Sequence, residues 1–205
     1  MRIKKTTELS DDLHAKRNAI INSVLPDCCR VLEIGPNASP NQYDRKNCEI
    51  VTIDVCRLPK PDVIGTAEIM PFRDSSFDFI IATEVIEHVR HPKLMLDELK
   101  RLLKSSAKLL ISTPNVAHLT NRIGMMFAGD FYDDRTLHHG TDVGHIHFFT
   151  RVYFHRVIRE HGFYIVKEWD NFIPVTPAHY IECTTLEKIL KNLTKQSVVL
   201  CTVKK

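Results

Sequence analysis

Residues 30–35 read RVLEIG, a short aliphatic run that ends at a glycine. Two similar runs follow, EIVTIDV at 49–55 and FDFIIA at 77–82, and helical patterns lie between the later segments. Short strands that alternate with helices are typical of βαβ units, and continuously apolar strands are typical of a buried parallel sheet. We therefore predict an α/β fold built on a mostly parallel sheet.

The same patterns extend along the chain. They predict strands at 30–34, 49–55, 62–64, 77–82, 108–112, 163–168 and 197–203. They predict a helix from Ser10, as its N-cap, to the residues before Pro26, and further helices at 92–104, 116–127, 150–161 and 186–193. Because no internal repeat or long linker divides the 205 residues, we expect a single domain over residues 1–205.

Composition and charge limit the function classes. A formal net charge of +3, from 28 basic and 25 acidic side chains, neither demands nor excludes a nucleic-acid partner. No apolar run approaches the roughly 20 residues of a membrane span, and the basic residues of the N-terminus predict a solvated end. The six cysteines show no CxxC spacing, so we expect them to act as small apolar side chains in a reducing compartment. We therefore expect a cytoplasmic protein. The sequence does not determine the oligomeric state.

Ligands of open α/β sheets bind beyond the carboxyl ends of the strands. Gly35 follows the first strand in the turn GPNASP, whose prolines and single glycine offer few N–H donors to a pyrophosphate. This turn suits a nucleoside without phosphate better than a dinucleotide. Asp54 ends the second strand, 19 residues after Gly35, where a carboxylate can accept hydrogen bonds from both ribose hydroxyls. An aspartate at a strand end is also a common turn residue.

Six motifs together carry a family resemblance. They are VLEIG at 31–35, VTIDV at 51–55, AEIMPFRDSSFDFI at 67–80, EVIEHV at 84–89, LISTPN at 110–115 and HIHFFT at 145–150. In this order and spacing they resemble the class I S-adenosylmethionine-dependent methyltransferases over about residues 19–169. The resemblance implies a Rossmann-like, seven-stranded, mostly parallel sheet with an antiparallel last strand and helices on both faces. It also implies S-adenosylmethionine as cofactor.

The resemblance assigns cofactor contacts to particular positions. Glu33 and Gly35 would face the methionine portion, and Thr83 would lie beside the methionine or the ribose. Asp54 would bind the ribose, Val55 the adenine face and the Ala67 backbone the adenine edge. Two departures concern the same site: Asn37 and Ala38 replace the second glycine region, and Thr66 stands where many relatives have an aspartate. We expect these departures to weaken or reorient cofactor binding without abolishing it.

The candidate catalytic groups follow the fourth strand. Glu84, Glu87 and His88 have i, i+3 and i+4 spacing, which predicts one face of a helical first turn. His145 lies in a segment that also contains His138, His139 and His147. Either His88 or His145 is the candidate general base, since an imidazole with a pKa of about 6.5 suits proton removal near neutrality. The alternative is structural: the glutamates cap the turn and the histidines pack locally.

The same residues resemble two metal-using branches of the family, the ubiquinone-pathway O-methyltransferases and the small-RNA 3′-terminal 2′-O-methyltransferases. That resemblance implies Glu84, Glu87, His88 and His145 as ligands of a divalent metal. Mixed oxygen and nitrogen ligands suit Mn, Fe, Co or Zn better than Mg. Such a metal would bind the substrate oxygens and lower the pKa of a hydroxyl.

The sequence predicts an enzyme that methylates a small-molecule acceptor at oxygen, with nitrogen as the alternative acceptor atom. Residues 114–149 are the expected insertion that covers the substrate. Phe127, Phe131 and Tyr132 are candidates to line the substrate pocket, or else they form only the apolar underside of this insertion. One alternative is an RNA 2′-O-methyltransferase with a divalent metal. The other is a non-catalytic module that binds S-adenosylmethionine, which the altered glycine turn would explain.

Overall fold

The computed structural model describes residues 2–5, 9–36, 43–45, 47–57, 60–129, 144–171, 173–176, 179–182 and 190–203. Within these ranges the strands are β1 (Arg2–Lys5), β2 (Arg30–Ile34), β3 (Glu49–Asp54), β4 (Val63–Ile64), β5 (Phe77–Thr83), β6 (Leu103–Pro114), β7 (Phe163–Asn171), β8 (Ile173–Thr176), β9 (His179–Glu182) and β10 (Gln196–Val203). The helices of the same ranges are α1 (Leu9–Val24), α2 (Pro92–Leu102), α3 (Leu119–Ala128) and α4 (Arg151–Glu160), and a 3-10 turn lies at Lys191–Leu193.

The central sheet has seven strands in the spatial order β4-β3-β2-β5-β6-β10-β7. β2 pairs in parallel with β3 and with β5, and β5 pairs in parallel with β6. β10 lies between β6 and β7 and runs antiparallel to both. The predicted seven-stranded, mostly parallel sheet with an antiparallel last strand is therefore confirmed.

Helices cover both faces of this sheet. Side chains alternate between the two faces along a strand, so Val31 packs on one side with Ile21 of α1. Leu32, the next residue, packs on the other side in a cluster that includes Leu99 of α2 and Phe154 of α4. The expected helices on both faces are confirmed, and the alternation assigns Glu33 to the α1 side.

Several boundaries differ from the sequence predictions. α1 begins at Leu9, so Ser10 lies inside the helix and is not its N-cap. β6 begins at Leu103, directly after α2, and Ser106 takes the left-handed conformation, with φ +66°, in a region without glycine. For the helix predicted at 186–193, residues 183–189 lie outside the described ranges, and the described end contains the 3-10 turn.

A second, smaller sheet was absent from the predictions. β1, β9 and β8 form a three-stranded antiparallel sheet, in which Arg2 lies opposite Glu182 and Lys5 opposite His179. The basic N-terminus, which was interpreted only as a solvated end, thus forms a strand whose backbone pairs with a strand far along the chain. Separately, none of the described helices has the length and apolar character that crossing a membrane requires.

The loop that leads into β5 is held by Arg101 of α2. The Arg101 guanidinium donates to the carbonyls of Phe72, at 2.8 Å, and Met70, at 3.1 Å. It also binds both oxygens of the Glu98 carboxylate at 2.7 Å. Glu98 in turn accepts from the backbone N–H of Met70 at 2.9 Å. The pair thereby fixes the chain just before the strand that leads to the candidate site.

We expect Arg101→Ala to lower the free energy of unfolding by about 2 kcal/mol, because two backbone carbonyls and the carboxylates of Glu98 and Asp74 lose a charged donor. Urea denaturation followed by circular dichroism measures this change. Arg156→Ala is the matched control, since Arg156 is an exposed arginine of α4. Equal midpoints for the two variants would show that the Arg101 contacts contribute nothing to stability.

The same pair predicts a pH dependence of stability. The hydrogen bond from Arg101 holds the pKa of Glu98 below its ordinary value of 4.5. A carboxyl whose pKa is lower in the folded state stabilises the protein fully above its ordinary pKa and less as the pH falls through the folded value. The stability difference between the wild type and Glu98→Gln should therefore shrink between neutral pH and about pH 3. Urea titrations at both pH values measure it, and a constant difference would contradict the prediction.

Candidate active site

The carboxyl ends of the parallel strands β2, β3, β4 and β5 meet at one edge of the sheet. Gly35 follows β2 with a left-handed backbone of φ +64°, which glycine adopts without a steric cost. Its N–H donates to the carbonyl of Ile53 at 2.9 Å, so the turn after β2 is bound to the end of β3. The carboxyl ends of β2 and β3 are therefore joined at this edge.

Gly35 also lies against the turn that follows β5. A Cβ atom at this position would be 2.9 Å from Cγ2 of Val85, closer than non-bonded carbon atoms approach. A side chain at position 35 would therefore force Val85 to shift, in addition to straining the left-handed backbone. The predicted cofactor turn and the predicted catalytic segment are consequently in direct contact.

Glu33 precedes this turn on β2 and is only 4% exposed. Its Oε2 accepts a hydrogen bond from the hydroxyl of Tyr43 at 3.0 Å. Burial, and then the negative charge of Glu33, raise the pKa of the Tyr43 phenol well above its ordinary value of 10. The sequence analysis did not single out Tyr43, because a tyrosine in the connection between two strands belongs to no motif.

Asp54 and Val55 lie where β3 ends. Oδ1 of Asp54 accepts from the N–H of Cys56 at 2.9 Å, a local turn contact, while its backbone carbonyl accepts from Gly65 at 2.9 Å. The side chain of Val55 is 60% exposed, which is unusual for an aliphatic residue at the end of a core strand. The structure thus shows a turn-capping contact for Asp54 and an open apolar surface beside it.

The remaining predicted cofactor residues are distributed along the same edge. Thr66 follows β4, and its hydroxyl accepts from the N–H of Glu68 at 3.3 Å. Ala67 is 6% exposed, as is Thr83, the last residue of β5. Asn37 lies outside the described residues.

The ExxEH segment after β5 is a turn and not the start of a helix. Glu84 has a left-handed backbone with φ +57°, the N–H of His88 binds the carbonyl of Val85 at 3.0 Å, and α2 begins only at Pro92. The expectation that Glu84, Glu87 and His88 share a helical face is therefore wrong. The left-handed residue turns the chain immediately after the strand, so helical spacing does not apply to Glu84.

Glu84 instead makes hydrogen bonds with the neighbouring strand, β6. Its Oε1 accepts from the hydroxyl of Ser112 at 2.7 Å, and its backbone N–H donates to the Ser112 carbonyl at 3.2 Å. Both contacts hold the start of the turn against β6. The carboxylate of Glu84 therefore has a structural contact in this fold.

Glu87 brings two distant segments together. The side chain is 1% exposed, and its Oε2 accepts from the hydroxyl of Thr113 at 3.1 Å. Its backbone carbonyl accepts from the N–H groups of Ile146, at 3.0 Å, and His147, at 3.1 Å. These bonds hold the HIHFFT segment against the turn and place His145 next to His88.

Glu87, His88 and His145 form a compact group. Nε2 of His88 lies 4.0 Å from Oε1 of Glu87, and the two imidazole centroids are 4.8 Å apart at an interplanar angle of 52°. One oxygen and two nitrogen atoms of the three residues lie within 4.8 Å of one another. We call these three residues the Glu-His-His cluster. Its donor atoms fit a divalent transition metal, and its imidazoles also fit proton transfer.

Of the other histidines in the segment that contains His145, the structure describes only His147. Nε2 of His147 lies 3.3 Å from the carbonyl of Arg90, and His138 and His139 are outside the described residues. Within the covering segment 114–149, residues 130–143 are also outside the described ranges, among them Phe131 and Tyr132. Phe127, near the end of α3, is 79% exposed.

Asn115 is a further residue whose role the sequence analysis missed, although it lies in the quoted motif LISTPN. It is 1% exposed, and its amide donates to the carbonyls of Asn192, at 3.1 Å, and Thr194, at 2.8 Å. Its Oδ1 accepts from the N–H of Arg151 at 3.1 Å. Asn115 thus joins the end of β6, the start of α4 and the segment before β10.

Comparison with known proteins was consistent with this geometry. The sequence profile of a family described as a methyltransferase domain matches residues 4–168. Among solved structures, an S-adenosylmethionine-dependent methyltransferase of Thermotoga maritima is similar, with a TM-score of 0.61, 18% identity and coverage of 97% of each chain. A 1,6-didemethyltoxoflavin-N1-methyltransferase of Burkholderia thailandensis, with bound S-adenosylhomocysteine, has a TM-score of 0.60 and 13% identity, covering 98% of this chain and 84% of that one.

Curated relatives match over shorter stretches. A Methanocaldococcus jannaschii protein, MJ1123, is 41% identical over 49 residues, 24% of each chain. The demethylmenaquinone methyltransferase of Renibacterium salmoninarum is 30% identical over 95 residues, 40% of each chain. The matched part of the chain therefore spans well under half the length of these relatives. From its match over residues 4–168 and its seven-stranded sheet, the chain belongs to the class I S-adenosylmethionine-dependent methyltransferase family.

Proposed function

We propose that this chain transfers a methyl group from S-adenosylmethionine to an oxygen atom of a small-molecule acceptor. The observation that carries the proposal is the Glu-His-His cluster, of which Glu87 and His88 lie on the turn that contacts Gly35. A hydroxyl acceptor must lose a proton during methylation, and the cluster offers groups that can take it. We further propose that residues 1–205 act as one domain.

The cofactor would bind along the carboxyl edge of the sheet. Gly35 lies at this edge between the ends of β2 and β3, and exposed Val55 offers an apolar surface for an adenine ring. In this proposal Glu33, Gly35 and Thr83 contact the methionine end, and Asp54 contacts the ribose. Thr66 and Ala67 contact the adenine edge, while Asn37 belongs to the same turn as Gly35.

Methyl transfer from a sulfonium is an in-line displacement. When bound, S-adenosylmethionine supplies a methyl group that is already activated by the positive sulfur. The acceptor oxygen forms the new bond to carbon as the carbon–sulfur bond breaks, and the hydroxyl proton passes to His88 or His145. Buried Glu87, 4.0 Å from His88, would stabilise the imidazolium that results. The protein otherwise contributes by holding the two reactants in line.

A second version of the proposal uses a divalent metal at the same cluster. Glu87, His88 and His145 would hold it, and the mixed oxygen and nitrogen set suits Mn, Fe, Co or Zn better than Mg. The fourth residue of the sequence hypothesis, Glu84, has its carboxylate on Ser112 in this structure, so the proposed ligand set has three members. The metal would lower the pKa of the acceptor hydroxyl.

The segment 114–149 would cover the acceptor. Its helix α3 exposes the apolar side chains of Met125, Met126 and Phe127, which suits contact with an apolar acceptor. The named relatives point the same way, because demethylmenaquinone and 1,6-didemethyltoxoflavin are both small organic molecules. RNA methylation would require a basic groove, and the net charge of +3 does not by itself demand one.

We expect Asp54→Ala to weaken S-adenosylhomocysteine binding by about 1 to 3 kcal/mol, because the variant loses the carboxylate that would bind the ribose. Isothermal titration calorimetry measures the change. Asp97→Ala, at an exposed position of α2, is the matched control. Unchanged affinity in Asp54→Ala would remove Asp54 from the cofactor site, and absence of binding in the wild type would favour a function other than methyl transfer.

We expect Glu87→Gln to lower kcat by about 10² to 10⁴-fold, the range for loss of acid–base catalysis, with little change in S-adenosylhomocysteine affinity. Glutamine retains an acceptor for Thr113 but not the charge. Initial rates with an acceptor found by screening hydroxylated compounds measure the effect, and Glu160→Gln at an exposed position of α4 is the control. A kcat equal to that of the control would exclude Glu87 from catalysis.

The same assay separates the two versions of the mechanism. The wild type is dialysed against a chelator, analysed for residual metal and then assayed before and after addition of Mn²⁺. Full activity without metal would support the histidine base. Activity that depends on Mn²⁺, together with loss of bound Mn²⁺ in Glu87→Gln, would support the metal site.

A further inference from the structure

Tyr43 connects the segment between β2 and β3 to the predicted methionine site. Its hydroxyl lies 3.0 Å from Oε2 of Glu33, a carboxylate that is only 4% exposed. A buried carboxylate needs hydrogen-bond donors or a cation, because burial without them is costly. The hydroxyl of Tyr43 is one such donor.

Two contacts hold Tyr43 in place. Its ring packs against the apolar cluster on the α1 face of the sheet, which includes Val31 and Ile21. The next residue, Asp44, donates its N–H to Oδ1 of Asn22 in α1 at 2.8 Å. The hydroxyl therefore reaches Glu33 from a ring and a backbone that are both anchored to the fold.

The protonation state suits a donor. Burial and the charge of Glu33 both raise the pKa of the Tyr43 phenol, so the group keeps its proton throughout the neutral range. It consequently donates to the carboxylate and leaves its negative charge in place. A carboxylate fixed in this way presents its charge in one direction, and the α-ammonium group is the cation of the methionine portion that can also donate N–H hydrogen bonds to it.

We propose that Tyr43 is a positioning residue for cofactor binding, which orients the Glu33 carboxylate toward the α-ammonium group of the methionine portion. This inference rests on the proposed function, because it requires the methionine portion to lie at Glu33. It assigns Tyr43 no contact with the transferred methyl group. Its effect should therefore appear in cofactor affinity and should depend on the amino-acid portion of the ligand.

The test compares two ligands on the full chain. S-adenosylhomocysteine carries the ammonium group, whereas 5′-methylthioadenosine keeps the adenosine and the sulfur but lacks the amino-acid portion. We expect Tyr43→Phe to weaken S-adenosylhomocysteine binding about ten-fold, the effect of one lost hydrogen bond to a charged group. Binding of 5′-methylthioadenosine should change by less than about two-fold. Titration calorimetry measures both affinities, with Tyr164→Phe at an exposed position of β7 as the control.

A double-mutant cycle with Glu33→Gln gives a second readout on S-adenosylhomocysteine alone. Glutamine lacks the charge for the ammonium group, so Tyr43→Phe should cause little further loss in that background. Equal loss for both ligands, no loss for either, or an undiminished loss in the Glu33→Gln background would overturn the role of Tyr43. Failure of the wild type to bind S-adenosylhomocysteine would instead overturn the proposed function, so the two failures are distinguishable.

Discussion

The close contact between Gly35 and Val85 is the constraint on which the candidate site depends. A Cβ at Gly35 would lie 2.9 Å from Cγ2 of Val85, so a side chain there would force Val85 to shift as well as straining the left-handed backbone. The backbone hydrogen bond from Gly35 to Ile53 holds the same turn against the end of β3. One residue thus contacts both the end of β3 and the turn after β5.

The turn after β5 contains a strained backbone position. A left-handed backbone at a residue with a side chain, as at Glu84, costs about 1 kcal/mol or more, and such positions are common at functional sites. Here it sends Glu84 toward Ser112 of β6 and leaves Glu87 inside the protein. The carbonyl of Glu87 then receives two N–H groups of the segment that contains His145. The shape of this turn thus gives Glu84 a structural contact with β6 and makes Glu87 a candidate catalytic residue.

Much of the fold could be predicted because its strands are locally distinctive. The apolar runs of β2, β3 and β5 were predicted from their own residues, and the order of strands and helices implied the parallel sheet. The small sheet of β1, β8 and β9 was not predicted: β1 pairs with β9 across most of the chain, whereas β8 and β9 are neighbours along it. Ser10 was misassigned for a related reason: a polar residue can cap a helix or lie in its first turn, and local composition does not distinguish the two.

The sequence by itself determined the fold class, the family and the positions that follow the strands, because these depend on periodicity and on motifs of adjacent residues. Tertiary structure alone decided which side chains meet. It grouped Glu87 and His88 with His145, bonded Glu84 to Ser112 and brought Tyr43 to Glu33. The physical reason is that such contacts depend on backbone turns and on the packing of distant segments. Neither a residue with a left-handed backbone nor a hydrogen bond between distant segments produces a periodic pattern in the sequence.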